Sequence, residues 1–140
     1  MQKFLTKSTQ ETEELAERLS HILKGNEVIA MFGGLGAGKT AFTRGLAHGL
    51  GIDDGVSSPT FALVHEYDGK FTVYHFDMYR VTTWDDLYST GFFDYIGNGI
   101  MIIEWSENIK EFLPKDYISV TISTVSENER EITIKGAEVI

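Results

Sequence analysis

Apolar residues fall into three patterns along this chain, and each pattern predicts a different element. Val28-Ile29-Ala30-Met31-Phe32 and Ile100-Met101-Ile102-Ile103 are short, unbroken runs. Runs of that length predict buried strands, in a sheet covered on both faces. Leu15, Leu19, Ile22 and Leu23 instead recur at i, i+4, i+7 and i+8, with Glu13, Glu14 and Glu17 outside the stripe, which predicts an amphipathic helix. Ser8-Thr9-Gln10-Glu11 has the form of a capping box at its start, and Gly25 is the expected stop. Phe42, Leu46 and Leu50 mark a second helix over 39–50, closed by Gly51. The third pattern is strand-like on both sides of a turn: Phe61–Tyr67 and Phe71–Asp77 flank Asp68-Gly69, and Tyr117–Val125 and Glu131–Lys135 flank Ser126–Glu129. Both predict antiparallel hairpins. With a short strand at Lys3–Thr6 and a helical patch at Trp84–Ser89, the order predicts an α/β fold of three layers around a mixed central sheet, not a regular alternation of strand and helix.

Composition narrows this picture. A chain of 140 residues with 42% apolar residues, two prolines and no low-complexity tract is expected to fold as one domain, 1–140. It has no cysteine, no apolar run near the roughly 20 residues of a membrane span, and no leader-like pattern at Met1–Thr6, so a cytoplasmic protein without a membrane role is expected. The net charge of −9 repels a nucleic acid backbone, and the longest basic stretch, Lys110 to Lys115, is interrupted by Glu111. Proteins or small substrates fit such a surface better than bare RNA.

Chemistry enters at Gly33-Gly34-Leu35-Gly36-Ala37-Gly38-Lys39-Thr40, directly after the first buried run. The pattern is that of the phosphate-binding P-loop, between a predicted strand and a predicted helix as the motif requires. Such a loop curls around a polyanion with successive N–H groups turned inward, and the glycines permit that curvature. The helix from Lys39 adds its free N–H groups and positive dipole end, the Lys39 ammonium would reach the β- and γ-phosphates, and the Thr40 hydroxyl would ligate Mg²⁺. A nucleoside triphosphate is the implied ligand, and a P-loop NTPase-like fold the implied architecture.

Two acids close apolar runs where ligands of open α/β sheets gather: Asp77 after Val73–Phe76, in the usual place of a Walker-B acid, and Glu104 after Ile100–Ile103. Glu104 is open to three roles: binding the metal directly, binding it through water, or orienting an attacking water. Thr60 follows a turn-rich segment and is placed like a switch threonine or a simple strand entry. His75 shares a strand face with Asp77; a core histidine is the plainer reading, a supporting role at the site the sharper one. Trp84 and Trp105 could stack on a base, but read first as core anchors. Of the four arginines, Arg18, Arg44, Arg80 and Arg130, Arg80 stands nearest in sequence to Asp77, where a salt bridge or a phosphate would suit it. Without an arginine finger, hydrolysis forgoes a factor of about 10³ to 10⁵, so slow turnover alone is expected.

Assembled in order, Gly36-Ala37-Gly38-Lys39-Thr40, Ser58-Pro59-Thr60-Phe61, His75-Phe76-Asp77-Met78-Tyr79-Arg80 and Glu104-Trp105 resemble the TsaE family of small bacterial P-loop ATPases across nearly the full length. The chain departs from that pattern at Gly34, where aspartate is common, and at Ala41, where a second threonine is usual. The resemblance implies ATP and Mg²⁺ held by the Gly33–Thr40 loop with Lys39, Thr40, Asp77 and Glu104, and Thr60 in a switch-like segment. It also implies that Thr9 and Arg130 border the nucleotide. By the same likeness the chain supports synthesis of threonylcarbamoyladenosine in tRNA, with TsaD and TsaB as partners that themselves hold the tRNA. A small P-loop kinase or a nucleotide-sensing switch is the alternative, though no arginine-rich lid is visible and the guanine-reading Asn-Lys-x-Asp is missing.

Overall fold

The computed structural model describes residues 1–34, 37–52 and 64–140. Seven strands form one sheet: β1 (Gln2–Thr6), β2 (Val28–Phe32), β3 (Val64–Asp68), β4 (Thr72–Asp77), β5 (Ile100–Glu104), β6 (Ile118–Thr124) and β7 (Arg130–Lys135). Their spatial order is β1-β7-β6-β2-β5-β4-β3. The centre is parallel, β2 pairing with both β5 and β6 and β4 with β5, while β3 on β4, β7 on β6 and β1 on β7 are antiparallel. The mixed α/β sheet expected from the hairpins is therefore observed.

The unbroken apolar runs sit where their pattern demands. All five residues of β5 are buried, as are Val28 to Met31 of β2. Strand alternation divides them between two cores. Ile29, Met31, Ile100 and Ile102 face helices α1 (Thr9–Ser20) and α2 (Lys39–Gly49), packing with Leu15, Leu19, Phe42 and Leu46. Val28, Phe76, Met101 and Ile103 face the opposite layer, packing with Leu87 of α3 (Trp84–Ser89), Phe92 of α4 (Phe92–Tyr95) and Ile109 of a 3-10 helix, Ser106–Phe112. β6 and β7 alternate buried Val120, Ile122, Ile132 and Ile134 with more exposed Ser123, Glu131 and Lys135, so one face of this half of the sheet is polar.

The expected α1 cap is present, with Ser8 Oγ accepting from Glu11 N at 3.1 Å. The reciprocal bond shifts by one residue, because Glu11 Oε1 accepts from Lys7 N at 2.8 Å instead of from the cap itself. Three expectations need correction. The helix ends at Ser20, well before Gly25, whose φ of +115° serves the loop into β2. The β3–β4 hairpin does not turn tightly on Asp68-Gly69: Asp68 pairs with Thr72, leaving Gly69, Lys70 and Phe71 as the loop, because Lys70 N reaches the Leu50 carbonyl at 2.7 Å and Phe71 packs on the α1–α2 core. Trp84 is no core anchor, being 48% exposed on the surface of α3. The strand predicted from Phe61 is observed from Val64, and residues 61–63, with the turn 53–59, lie outside the described residues. Neither α4 nor the 3-10 helix was legible in the apolar pattern.

Candidate functional site

Parallel pairing sends β2, β5 and β4 to a common edge, and the residues that end them meet there. Asp77 and Glu104 are direct partners in register, so both carboxylates leave the sheet on one face at neighbouring positions. Glu104 is 3% exposed, and Asp77 is half-buried, with Oδ1 accepting from Tyr79 N at 2.9 Å. Two further bonds tie these strand ends together: Met78 N donates to the Glu104 carbonyl at 3.1 Å, and Asn108 Nδ2 donates to the Met78 carbonyl at 2.7 Å.

Beyond Phe32 the chain enters the glycine-rich loop at Gly33, φ +150°, and leaves it at Gly38, φ +102°, the N-cap of α2. Such angles are freely open only to glycine. A Cβ at Gly33 would also meet the Ile122 carbonyl at 2.7 Å, so the loop starts pressed against β6. Leu35 and Gly36 lie outside the described residues, as does Thr60.

Lys39, the first residue of α2, turns back into the site and is only 7% exposed. Its Nζ donates to the Gly33 carbonyl at 2.8 Å and stands 3.8 Å from the centroid of the Trp105 ring. Burial lowers the Lys39 pKa from 10.5, and the nearby carboxylates of Glu107, Glu104 and Asp77 oppose that shift. An ammonium held by one carbonyl and one aromatic face is poorly solvated, and is available to a stronger anionic partner.

Trp105 reaches this place through an unusual backbone. It is the one non-glycine residue with positive φ among the described residues (+60°), turning the chain sharply from β5 into the 3-10 helix. That turn brings Glu107 back to the loop, where Oε2 accepts from Gly33 N at 3.0 Å. Neither role was visible in the sequence. Trp105 read as a core anchor, and it does pack against the second core, but its ring also covers Lys39. Glu107 sits in a stretch without periodicity, and only the fold reveals its partner.

Arg130 reaches the loop, and Thr9 lies across a cleft from it. They border this cleft of about 60 Å³ together with Gly38, Ala41 and Glu127. Arg130 Nε donates to the Ala37 carbonyl at 3.1 Å, and its Nη1 donates to the carbonyls of Ser126, Glu127 and Glu129 at 2.9 to 3.2 Å. The guanidinium thereby fastens the β6–β7 hairpin to the loop. Thr40 is half-buried on the first turn of α2 beside Lys39, whereas Arg80 is exposed. Among the described residues no three or more His, Cys, Asp or Glu side chains group as a complete metal cage.

The profile of "Threonylcarbamoyl adenosine biosynthesis protein TsaE" matches residues 6–132. The chain belongs to the TsaE family. Proteins described as tRNA threonylcarbamoyladenosine biosynthesis protein TsaE are 41% identical in Aquifex aeolicus, over 96% of each chain, and 40% identical in Bacillus subtilis, over 94% of this chain and 83% of that one. The Treponema pallidum TsaE is 35% identical over 93% of this chain and 97% of its own. The crystal structure of Bacillus subtilis YdiB superposes with a TM-score of 0.76 at 34% identity, covering 98% of this chain and 86% of that chain. Membership in TsaE places the chain in threonylcarbamoyladenosine biosynthesis. No helix among the described residues is long and apolar enough to cross a membrane.

Proposed function

We propose that this TsaE chain binds ATP with Mg²⁺ at the Gly33–Thr40 loop and hydrolyses it slowly, as an accessory to a TsaD–TsaB complex that carries out the tRNA modification. The observation that supports this reading best is the buried Lys39 ammonium at the loop, held among the described residues by a carbonyl and a ring and faced by Asp77, Glu104 and Glu107. A structural lysine would be paired or solvated. This one is positioned to exchange the Gly33 carbonyl for a phosphate oxygen.

The residues present suit magnesium, which is commonly held by one or two carboxylates together with substrate phosphates and water, so a complete protein cage is not needed. Thr40 and Asp77 would hold the ion, which supplies charge neutralisation at the β- and γ-phosphates. Glu104, buried beside Asp77, would either join them or orient the attacking water. Loop N–H groups and the α2 N-terminus bind the phosphates, Lys39 offsets the charge that develops on the transferred group, and Thr9 and Arg130 border the nucleotide. Thr60, outside the described residues, would sense the γ-phosphate as a switch-like threonine. The cytoplasm, where tRNA is modified, is the proposed location.

None of the four arginines is set to act as a finger in the described structure. Arg130 is committed to carbonyls, Arg44 to Glu13 at 3.2 Å, Arg18 lies over the Phe4 ring, and Arg80 is exposed. Hydrolysis by the chain alone should therefore be slow, with acceleration supplied by partners. Phosphate release is measured with Mg²⁺ and ATP, with and without TsaD and TsaB. A low rate that rises on their addition is expected; no rise, or transfer of radiolabelled γ-phosphate to an acceptor, overturns the ATPase reading in favour of a sensor or a kinase.

A further inference from the structure

Strand β4 holds a buried imidazole that the proposed chemistry has not used. His75 is 1% exposed, and neither ring nitrogen meets hydrogen-bond geometry with any partner among the described residues. Its Nε2 lies 3.3 Å from Oε2 of Glu104, itself 3% exposed. The register explains the meeting: His75 pairs with Ile102 and Asp77 with Glu104, so His75 and Glu104 are diagonal neighbours on one face of the β4–β5 pair. On that face the residues behind them, Val73 and Ile100, belong to the dry α1–α2 core.

A hydrophobic side chain would fill this place without leaving two polar atoms dry. An imidazole carries at least one N–H in either protonation state, and here one nitrogen faces a carboxylate at the proposed catalytic edge. The 3.3 Å contact is within ion-pair reach yet short of hydrogen-bond geometry, as in sites whose contacts tighten only around a ligand. We propose that His75 is a positioning residue: its Nε2–H donates to Glu104 Oε2 and fixes the carboxylate rotamer, so that Glu104 is presented to the Lys39–Asp77 side of the site. This rests on the reading of Glu104 as part of the ATP site, and it adds the element that orients it. Bonds of this kind to site carboxylates are worth about 10- to 100-fold in activity or metal affinity when removed.

The test compares His75→Met, which fills the volume without a donor, with His75→Gln, whose amide N–H reaches about as far as Nε2. In the presence of TsaD and TsaB, the Met variant should lose about 10- to 100-fold in kcat while its Kd for ATP stays within about threefold, and the Gln variant should recover most of the loss. Independently of turnover, ¹⁵N NMR of the nucleotide-free protein should show His75 with its proton on Nε2 and slow exchange with solvent. Should the Met variant fail to fold by circular dichroism, the Gln variant and the NMR tautomer decide. Unchanged kcat in the Met variant, equal losses in folded Met and Gln variants, or a proton found only on Nδ1 overturns the proposal. Wild-type protein that neither binds nor hydrolyses ATP with its partners overturns the ATP-site reading too, whereas normal wild-type turnover beside an unimpaired Met variant removes only the role of His75.

Discussion

Lys39 is charged in a place that resists charge, and its titration should report on the ligand. Burial lowers its pKa from 10.5, so the folded state carries a penalty at every pH below the lowered value, and that penalty fades as pH rises from there toward 10.5. A bound polyanion reverses the shift by favouring the ammonium. ATP binding should therefore take up protons in the alkaline range, and affinity should fall as pH climbs toward 10.5. Calorimetry in two buffers of different ionisation heat measures the uptake, and the same titration of Lys39→Ala should show neither the proton uptake nor strong binding. The Trp105 ring offers an optical check, since Lys39 Nζ sits 3.8 Å from its centroid. In a Trp84→Phe background, which leaves Trp105 as the single tryptophan, MgATP should change the emission as Lys39 is drawn from the ring to phosphate. Emission that stays constant while calorimetry registers binding would show that Lys39 does not move.

At the scale of elements, the site depends on how closely α1 and α2 pack, because α2 begins at Lys39. A Cβ at Gly45 of α2 would collide with the Glu13 carbonyl of α1 and lie 2.8 Å from Ala16 Cβ. On an exposed helix Gly→Ala stabilises by about 1 kcal/mol through propensity. Here overpacking should win, and Gly45→Ala should destabilise by about 1 to 3 kcal/mol in urea titration. Ser8→Ala, which removes the α1 cap, should cost about 1 kcal/mol in the same assay. These elements also mark what the sequence could show. Motifs that are contiguous in the chain, such as the glycine-rich loop, the Ser8 cap and the acids closing β4 and β5, were legible because their physics is local. Trp105 over Lys39 and Glu107 on Gly33 were not, because both depend on a positive-φ turn after β5 and on β5 lying beside β2, a parallel pairing between strands about 70 residues apart. The Asp68-Gly69 turn was misread for the same reason: a local signal was overruled by Lys70 bonding to Leu50, at the end of α2 and outside the hairpin.

At the scale of the whole molecule, three strands from distant parts of the sequence supply one edge, so a ligand that bridges them couples their stabilities. Triphosphate would be gripped by the loop after β2, and its metal by Thr40 and by Asp77 at the end of β4. A ligand bound only to the folded state stabilises it by RT ln(1 + [L]/Kd), about 2.7 kcal/mol at a hundredfold excess over Kd. For a chain of 140 residues that corresponds to a rise in melting temperature of roughly 5 to 10 °C. The rise should need both components. ATP with EDTA in place of Mg²⁺ should give a much smaller shift, because Asp77, Glu104 and Glu107 would face the phosphates without a divalent cation to offset them. Asp77→Asn should blunt the magnesium-dependent part of the rise while leaving the melting temperature of the unliganded protein nearly unchanged, since Asp77 is only half-buried and one of its bonds is to the exposed Tyr79 N–H. An equal shift with and without Mg²⁺ in the wild-type protein would place the ion outside the site.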